Sequence, residues 1–122
     1  TPTMSPSEEV LQLRDLSAHA AKVKKGEAKA VVAVEAVAKR VGKLEHQELP
    51  MQPGEFASTR TIELQDTDGP TTCLWRLWDL QAEQFGDTLL GQHIVIKSAR
   101  VREIHGRPEL TGCASVSIRS EV

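Results

Sequence analysis

The sequence is poor in aromatic residues. It contains no tyrosine, two tryptophans (Trp75 and Trp78) and two phenylalanines (Phe56 and Phe85) among 122 residues. This length favours a single domain with a small core. That core must be built from Val, Leu, Ile and Ala, so each of the four aromatic side chains is informative about the core or about a binding surface.

Cysteine is also scarce. Cys73 and Cys113 have no C-x-x-C spacing and no cluster with the four histidines. This pattern argues against a zinc site. One disulfide is geometrically possible, but two cysteines make no disulfide framework, and a reducing compartment fits the chain better. We interpret Cys113 as a small core residue rather than as a nucleophile.

The chain lacks a long hydrophobic run, a signal-peptide pattern, a Gly-rich phosphate loop and any catalytic arrangement of Ser, His, Cys or carboxylates. These absences argue against a membrane span and against an enzyme, and we expect no cofactor and no bound metal. The sequence begins at Thr1 rather than at Met, so we expect it to be part of a longer protein.

The charges are unevenly distributed although the net charge is only −2. Residues 21–46 hold seven Lys or Arg against three acids, residues 47–90 hold two against eight, and residues 91–122 hold five against three. The net charge gives no general case for a polyanion partner. The asymmetry fits either two basic surface regions or an ordinary solvated surface.

The segment Thr59–Asp79 alternates between apolar and polar residues on both sides of a turn signal. Such alternation predicts a β-hairpin. We expect the turn at Asp68-Gly69, where glycine would supply a positive φ. Pro70, which cannot donate to a ladder, belongs at the edge or the start of the second strand.

The second strand of this hairpin has two different faces. The alternation assigns Cys73, Trp75 and Leu77 to the core, and it places Leu74, Arg76 and Trp78 on the other face. An indole beside a guanidinium is the chemistry of a surface on which nucleic-acid bases stack. The alternative is that Trp78 covers a small core and that Arg76 is simply solvated.

The N-terminal part is predicted to contain little regular structure. Ser7 resembles a helix N-cap ahead of a short helical or extended lead-in that closes one end of the fold, and Ser5-Pro6 matches a common phosphorylation dipeptide.

We predict a loop or frayed helix end over residues 17–29, and a strand over residues 30–41, where alanines leave a helix as the alternative. Glu35 should then face solvent or pair with a base.

The remaining chain is predicted as a connection, a helix and two strands. Two prolines and two glycines exclude a helix from residues 42–54. Helical spacing of apolar residues predicts a helix over 80–90 that ends at Gly91. Residues 93–101 read as a strand, His105-Gly106 as a turn, and residues 109–118 as a last strand with a bulge at Gly112.

These elements occur in the order strand, long loop, strand, tight turn, strand, short helix, strand, turn, strand. We therefore predict an all-β, five-stranded Greek-key barrel of the OB-fold type, with a short helix between strands 3 and 4 and an N-terminal helical lead-in. We place the tail and short helix at residues 1–27 and the barrel domain at residues 28–122.

Several motifs resemble the OB-folds of the replication protein A large subunit and related single-stranded DNA-binding proteins. They are Leu-Trp-Asp ending at Asp79, Gln-Ala-Glu-Gln-Phe ending at Phe85, and Val-Ile-Lys-Ser-Ala-Arg-Val ending at Val101, with His-Gly-Arg ending at Arg107. Ile-Glu-Leu-Gln-Asp-Thr-Asp-Gly ending at Gly69 is similar to the family's first hairpin. The resemblance covers about residues 28–118.

The resemblance implies that Trp78 stacks on a base. The family's second stacking aromatic is replaced here by Ile104, next to His105, and each base stack is worth about 1–3 kcal/mol. The positions that match the family's phosphate contacts are Lys39, Arg40, Lys43, Arg76, Lys97, Arg100, Arg102 and Arg107.

Two functions follow from this resemblance as expectations. The first is a nuclear module of a replication, repair or other genome-maintenance protein that binds single-stranded DNA by base stacking and phosphate contacts. The second is an OB-fold that docks partner protein subunits and binds little DNA itself, which the missing second aromatic and the slightly negative net charge favour. Neither requires a membrane.

Overall fold

The computed structural model describes residues 10–118. The elements in this range are β1 (Val10–Gln12), α1 (Leu13–Lys24), β2 (Val31–Val41), β3 (Glu45–Leu49), β4 (Gln52–Gln65), β5 (Thr72–Trp78), α2 (Asp79–Gln84), a 3-10 turn (Asp87–Leu89), β6 (His93–Ile104), β7 (Arg107–Thr111) and β8 (Ser115–Ile118). Neither helix in residues 10–118 is long and apolar enough to cross a bilayer. The predicted cap at Ser7 and the Ser5-Pro6 dipeptide lie outside the described residues.

Five strands close into a barrel. β2 pairs with β4, and β4 pairs with β5, both in antiparallel fashion. β5 then pairs with β7 in parallel, β7 pairs with β6, and β6 returns to β2. This closed ring, with α2 between its third and fourth strands β5 and β6, is the predicted OB-fold barrel.

Strand β2 curls around the barrel and belongs to both of its halves. Its first part pairs with β6 and its last part with β4, with a register shift between Ala38 and Arg40. Alternate residues Val32, Val34 and Ala36 are buried. The strand predicted for residues 30–41 is therefore confirmed over the helical alternative.

Glu35 is the single acidic residue inside β2 and does not remain isolated. Its carboxylate lies 2.9 Å from Nε2 of His93 on β6, and it accepts a hydrogen bond of 2.8 Å from Nε2 of Gln12 on β1. Of the two alternatives predicted for Glu35, facing solvent or pairing with a base, the structure shows the second.

The core is built around Trp75. Cys73, Trp75 and Leu77 are buried, as their alternation predicts, and Trp75 is completely inaccessible. The indole Nε1 donates a hydrogen bond of 3.0 Å to the carbonyl of Gly112, and its ring lies 6.1 Å from that of Phe85. One aromatic side chain thus fills the barrel centre, and small aliphatic residues fill the space around it.

Helix α1 closes one end of the barrel and corrects the prediction of a loop or frayed helix end over residues 17–29, because residues 17–24 are part of a regular helix. The helix continues to Lys24 because Leu13, Leu16 and Ala20 recur on one face and are buried. The polar residues between them face solvent. The lead-in before α1 is the short strand β1, which pairs in parallel with β2.

The connection over residues 42–54 contains no helix, as predicted, but it is not simply a loop. Residues Glu45–Leu49 form β3, which pairs with the first half of β4. Pro53 and Gly54 lie inside β4 at the tip of this hairpin, where a proline costs no ladder bond. The β3–β4 hairpin extends the sheet beyond the barrel.

The hairpin turn includes Asp68 and Gly69, as predicted, but the prediction that Gly69 supplies a positive φ is wrong. The strands are joined by six residues, 66–71, and Gly69 is not among the glycines with positive φ. Asp66 organises the turn instead: its buried carboxylate accepts the backbone N–H of Asp68 at 3.0 Å and the guanidinium of Arg14 at 2.8 Å. An aspartate that bonds the backbone two residues ahead replaces the glycine conformation.

Two further elements are shorter than predicted. The helix expected over residues 80–90 is divided into α2 and the 3-10 turn by Gly86, although Gly91 does adopt the positive φ of a helix end, +77°. The last strand is divided into β7 and β8, because Gly112 has a φ of +63° and redirects the chain. β7 pairs with β5 and β6, whereas β8 pairs with β6 alone.

Candidate nucleic-acid interface

Strand β5 turns Trp78 and Arg76 outward, and both side chains are half-buried. On the neighbouring strand β4, Thr59 lies opposite Trp78 and Thr61 opposite Arg76. The buried hydroxyl of Thr59 donates a hydrogen bond of 3.0 Å to the carbonyl of Leu77. The indole and the guanidinium thus stand on one face of a sheet fixed by cross-strand pairs.

A groove of about 370 Å³ runs across this face. One wall is the β3–β4 hairpin and the other is the β6–β7 hairpin. The lining residues are Gln47, Arg76, Trp78, Arg102, Ile104, His105 and Glu109. The groove therefore combines one half-buried indole with two arginines, one histidine and one carboxylate.

The β6–β7 hairpin is held in shape by a two-residue turn. His105 and Gly106 both have positive φ, +52° and +77°, as a type I′ turn requires. Ile104 and Arg107 pair across the turn. This tight turn presents Ile104 and His105 to the groove on a rigid ladder.

Arg76 is the least satisfied polar group of the groove. Its Nε is buried and has no hydrogen-bond partner among residues 10–118. A buried donor without a partner costs about 1–3 kcal/mol, and more when it is charged.

Five of the eleven residues predicted for the site line this groove: Arg76, Trp78, Arg102, Ile104 and His105. The basic residues at the end of β2 do not line it. Arg40 is engaged 3.7 Å from Glu63, and Lys39 and Lys43 are exposed beyond the groove. For these three residues a contact with nucleic acid stays a prediction.

The other three predicted cations do not line the groove either. Lys97 lies opposite Ser115 of β8. Arg100 lies opposite Thr111, which also lies opposite Arg76, so Arg100 shares the outer face with the groove but is not part of its lining. Arg107 lines a different cavity of about 630 Å³ between α1, the β4–β5 loop and β7. The spacing of these residues along the sequence did not distinguish them from the residues that line the groove.

Sequence reasoning missed two groove residues, Gln47 and Glu109. Gln47 was hidden because β3 was interpreted as a loop. Glu109 could have been found, since it occupies the position opposite Leu74 on the parallel strand and therefore faces outward. Its carboxylate reduces the positive charge that the two arginines give to the groove.

Neither cysteine belongs to this site. Burial raises the pKa of Cys73 to about 12, to which the charge of Glu109 contributes, and burial raises the pKa of Cys113 to about 11. Both thiols are therefore protonated at neutral pH, which fits small core residues rather than nucleophiles. Among residues 10–118, no group of three or more His, Cys, Asp or Glu side chains is arranged to hold a metal ion.

No protein-family model and no curated protein sequence matches the chain. Solved structures do match. The second OB-fold domain of replication protein A from Methanococcus maripaludis aligns with a TM-score of 0.57 and 14% identity over 75% of this chain and 86% of that domain. A replication protein A heterotrimer bound to single-stranded DNA aligns with a TM-score of 0.54 and 16% identity over 75% of this chain and 22% of the matched chain.

An OB domain from Thermoplasma acidophilum aligns with a TM-score of 0.53 and 18% identity over 92% of this chain and 86% of that domain. At these identities the likeness establishes the fold and leaves the site residues to be judged from this chain alone. The chain therefore has the architecture of an OB-fold domain, similar to those of replication protein A.

Proposed function

We propose that this chain is a module that binds single-stranded DNA within a nuclear protein of replication, repair or related genome maintenance. The observation that carries the proposal is the groove, which Trp78 lines together with Arg76 and Arg102. The fold likeness to a replication protein A heterotrimer solved with single-stranded DNA supports it.

The binding mechanism follows from the chemistry of the lining. A base stacks on the indole of Trp78, and Arg76 and Arg102 contact phosphate oxygens on either side of it. The aliphatic side chain of Ile104 gives the second base a weaker contact than an aromatic ring would. Because phosphate contacts release counterions, affinity falls as salt rises.

Replacement of Trp78 by alanine tests this directly. The Trp78→Ala variant should lose about 1–3 kcal/mol of binding to a labelled oligothymidine, measured by fluorescence anisotropy. Phe56→Ala is the matched control, because Phe56 is an aromatic residue that is 60% exposed and does not line the groove. If both folded variants bind oligothymidine with the affinity of the unmodified chain, the stacking mechanism is wrong.

A second candidate is an OB-fold that docks partner subunits. It is favoured by the aliphatic Ile104 and by Glu109, both of which weaken the groove as a DNA site. Large exposed apolar side chains outside the groove, such as Phe56 and Leu80 at 60% and 77% exposure, also favour it. Size-exclusion chromatography with candidate subunits tests it, and tight DNA binding by the isolated chain would argue against it as the main role.

A further inference from the structure

A second cleft adjoins the groove on the side of helix α1. It has a volume of about 320 Å³ and separates the C-terminal half of α1 from β6. We call it the α1–β6 cleft; its lining residues are Ala20, Val23, Lys24, Val101, Arg102 and Glu103. Arg102 lines both this cleft and the groove, so the two depressions share one basic residue.

The end of α1 is fixed in place rather than frayed. Gly26 has a φ of +77°, its N–H donates to the carbonyl of Val23 at 3.0 Å, and the N–H of Glu27 donates to the carbonyl of Lys22 at 2.8 Å. These two bonds and the glycine form a Schellman motif, which stops a helix at a defined residue. The lysines of the last turn are therefore held by ordered backbone.

Lys29 lies between α1 and β6. Its backbone carbonyl is 2.8 Å from Nε2 of His19 on α1. The next residue, Ala30, accepts a hydrogen bond of 2.7 Å from the backbone N–H of Val101 on β6, and β2 begins at Val31, opposite Arg100.

Helix capping and ion pairing account for only some of the basic side chains around the cleft. Lys24 lies 3.3 Å from Glu103, yet its side chain is 76% exposed, so the pair is a weak one. Lysines in the last turn favour the helix dipole. That explains Lys24 but neither Lys29 nor Arg102, whose side chains make no ion pair among residues 10–118.

We propose that the α1–β6 cleft is a phosphate-binding subsite that extends the path of the single strand beyond the groove. A strand leaving Trp78 and Arg76 crosses β7 and β6 at Arg102 and then follows Lys29 and Lys24. This inference rests on the proposed function, because the same strand must first occupy the groove. The ligand chemistry is the sugar–phosphate backbone, without base recognition.

The test compares a short and a long oligothymidine, of about 4 and about 12 nucleotides, within the range of site sizes for one OB-fold. The double variant Lys24→Gln, Lys29→Gln removes two charges. For the long strand the slope of log affinity against log salt should become shallower by about 1.4, or 0.7 for each lost phosphate contact, which is about a 25-fold loss at 0.1 M salt. The short strand should bind the double variant with the same affinity as it binds the unmodified chain.

The double variant Lys24→Arg, Lys29→Arg keeps both charges and should retain the long-strand affinity. If the double variant binds both strand lengths equally more weakly, the two lysines act only through the long-range electrostatic potential. If it binds both strands as tightly as the unmodified chain, there is no phosphate subsite in the cleft. Either result overturns the inference, and Trp78→Ala still tests the groove independently. If the unmodified chain binds neither strand, the proposed function and this inference fail together. Preferential binding of polyglutamate, lost in the glutamine variant, would assign the cleft to an acidic peptide instead.

Thermal unfolding of both double variants confirms that they are folded. Lys29→Gln alone provides a second reading, because Lys29 has no ion pair to break among residues 10–118. Half of the slope change, about 0.7, is expected from this single variant. An unchanged slope in the single and the double variant contradicts the proposal.

Discussion

Ile104 occupies the position at which the sequence resemblance implies an aromatic residue, and it lines the groove together with Trp78. An aliphatic side chain packs against a base but presents no π-face. In the proposed binding mode, the groove therefore offers one stacking platform, Trp78, and a weaker aliphatic contact at Ile104.

Introducing the missing ring should strengthen binding. Ile104→Phe is expected to tighten oligothymidine binding by about 1–3 kcal/mol, because it adds a base stack in a groove that already holds Arg76 and Trp78. Competition anisotropy measures the gain. Leu90→Phe, which adds the same ring at a position that is 51% exposed and outside the groove, is the control and should change nothing. An Ile104→Phe variant that binds no better would mean that bases do not reach the β6–β7 hairpin.

The ionisation of Asp66 makes the stability of the fold depend on pH. Its side chain is fully buried. Burial raises the pKa of this carboxyl, but N–H groups of Asp68 and Arg14 and the Arg14 guanidinium outweigh burial, so the net pKa is lowered. A lowered pKa in the folded state stabilises the protein above the ordinary aspartate pKa, and that stabilisation is lost as pH falls through the lowered value.

Asp66→Asn should therefore cost about 1–3 kcal/mol of unfolding free energy at neutral pH, and the difference from the unmodified chain should shrink below about pH 4. Urea unfolding followed at several pH values measures it. Asp68→Asn is a suitable comparison, since Asp68 is exposed and contributes only its backbone N–H to Asp66. A penalty for Asp66→Asn that stays constant into acid would show that the charge of Asp66 is not what stabilises the turn.

The orientations of individual side chains were predicted best from sequence in strand β5. The conformation of the turn before this strand was predicted worst. Alternation alone placed Trp75 inside and Trp78 on the outer face, because a strand allows only two faces. The turn could not be derived from Asp68-Gly69, because its shape depends on Arg14, 52 residues away from Asp66 in the sequence. Contacts between distant residues leave no local signal.

Helix α1 is the element that holds the barrel end closed. Leu16 is completely buried on its inner face and is part of the main core. Leu16→Ala should lower the free energy of unfolding by about 2–5 kcal/mol, since it removes buried methyl groups and leaves a cavity. Urea denaturation measures the loss.

Leu80→Ala is the matched control, because Leu80 is 77% exposed and the same change there should cost less than about 0.5 kcal/mol. If Leu16→Ala were as mild as this control, α1 would be an accessory to the barrel rather than part of its core. Residues 28–122 would then fold without it, as the domain division from sequence supposes.

The elements that sequence reasoning missed share a physical reason. β1 and β3 are short strands of three and five residues, and they are ordered by pairing with β2 and β4 rather than by their own alternation. The end of α1 was obscured by its lysines, which read as a polar loop although the buried face continues to Ala20. Tertiary pairing decided all three elements.

At the scale of the whole molecule, the net charge of −2 conceals a local concentration of cations. Arg76 and Arg102 line the groove, and Lys24 lines the adjoining α1–β6 cleft. Sequence identified the barrel and the outward indole, but it spread the cations over eight positions. Only the strand register shows which of them share a face.

The central claim is that the outward indole of Trp78 meets a nucleic-acid base. Intrinsic tryptophan fluorescence tests it most directly, because Trp75 is completely buried and Trp78 lines the groove. Titration with oligothymidine at low salt should quench the emission. The quenching should weaken when salt is raised, and it should disappear in Trp78→Phe, in which only Trp75 emits. Binding without quenching, or quenching that persists in Trp78→Phe, would contradict the account.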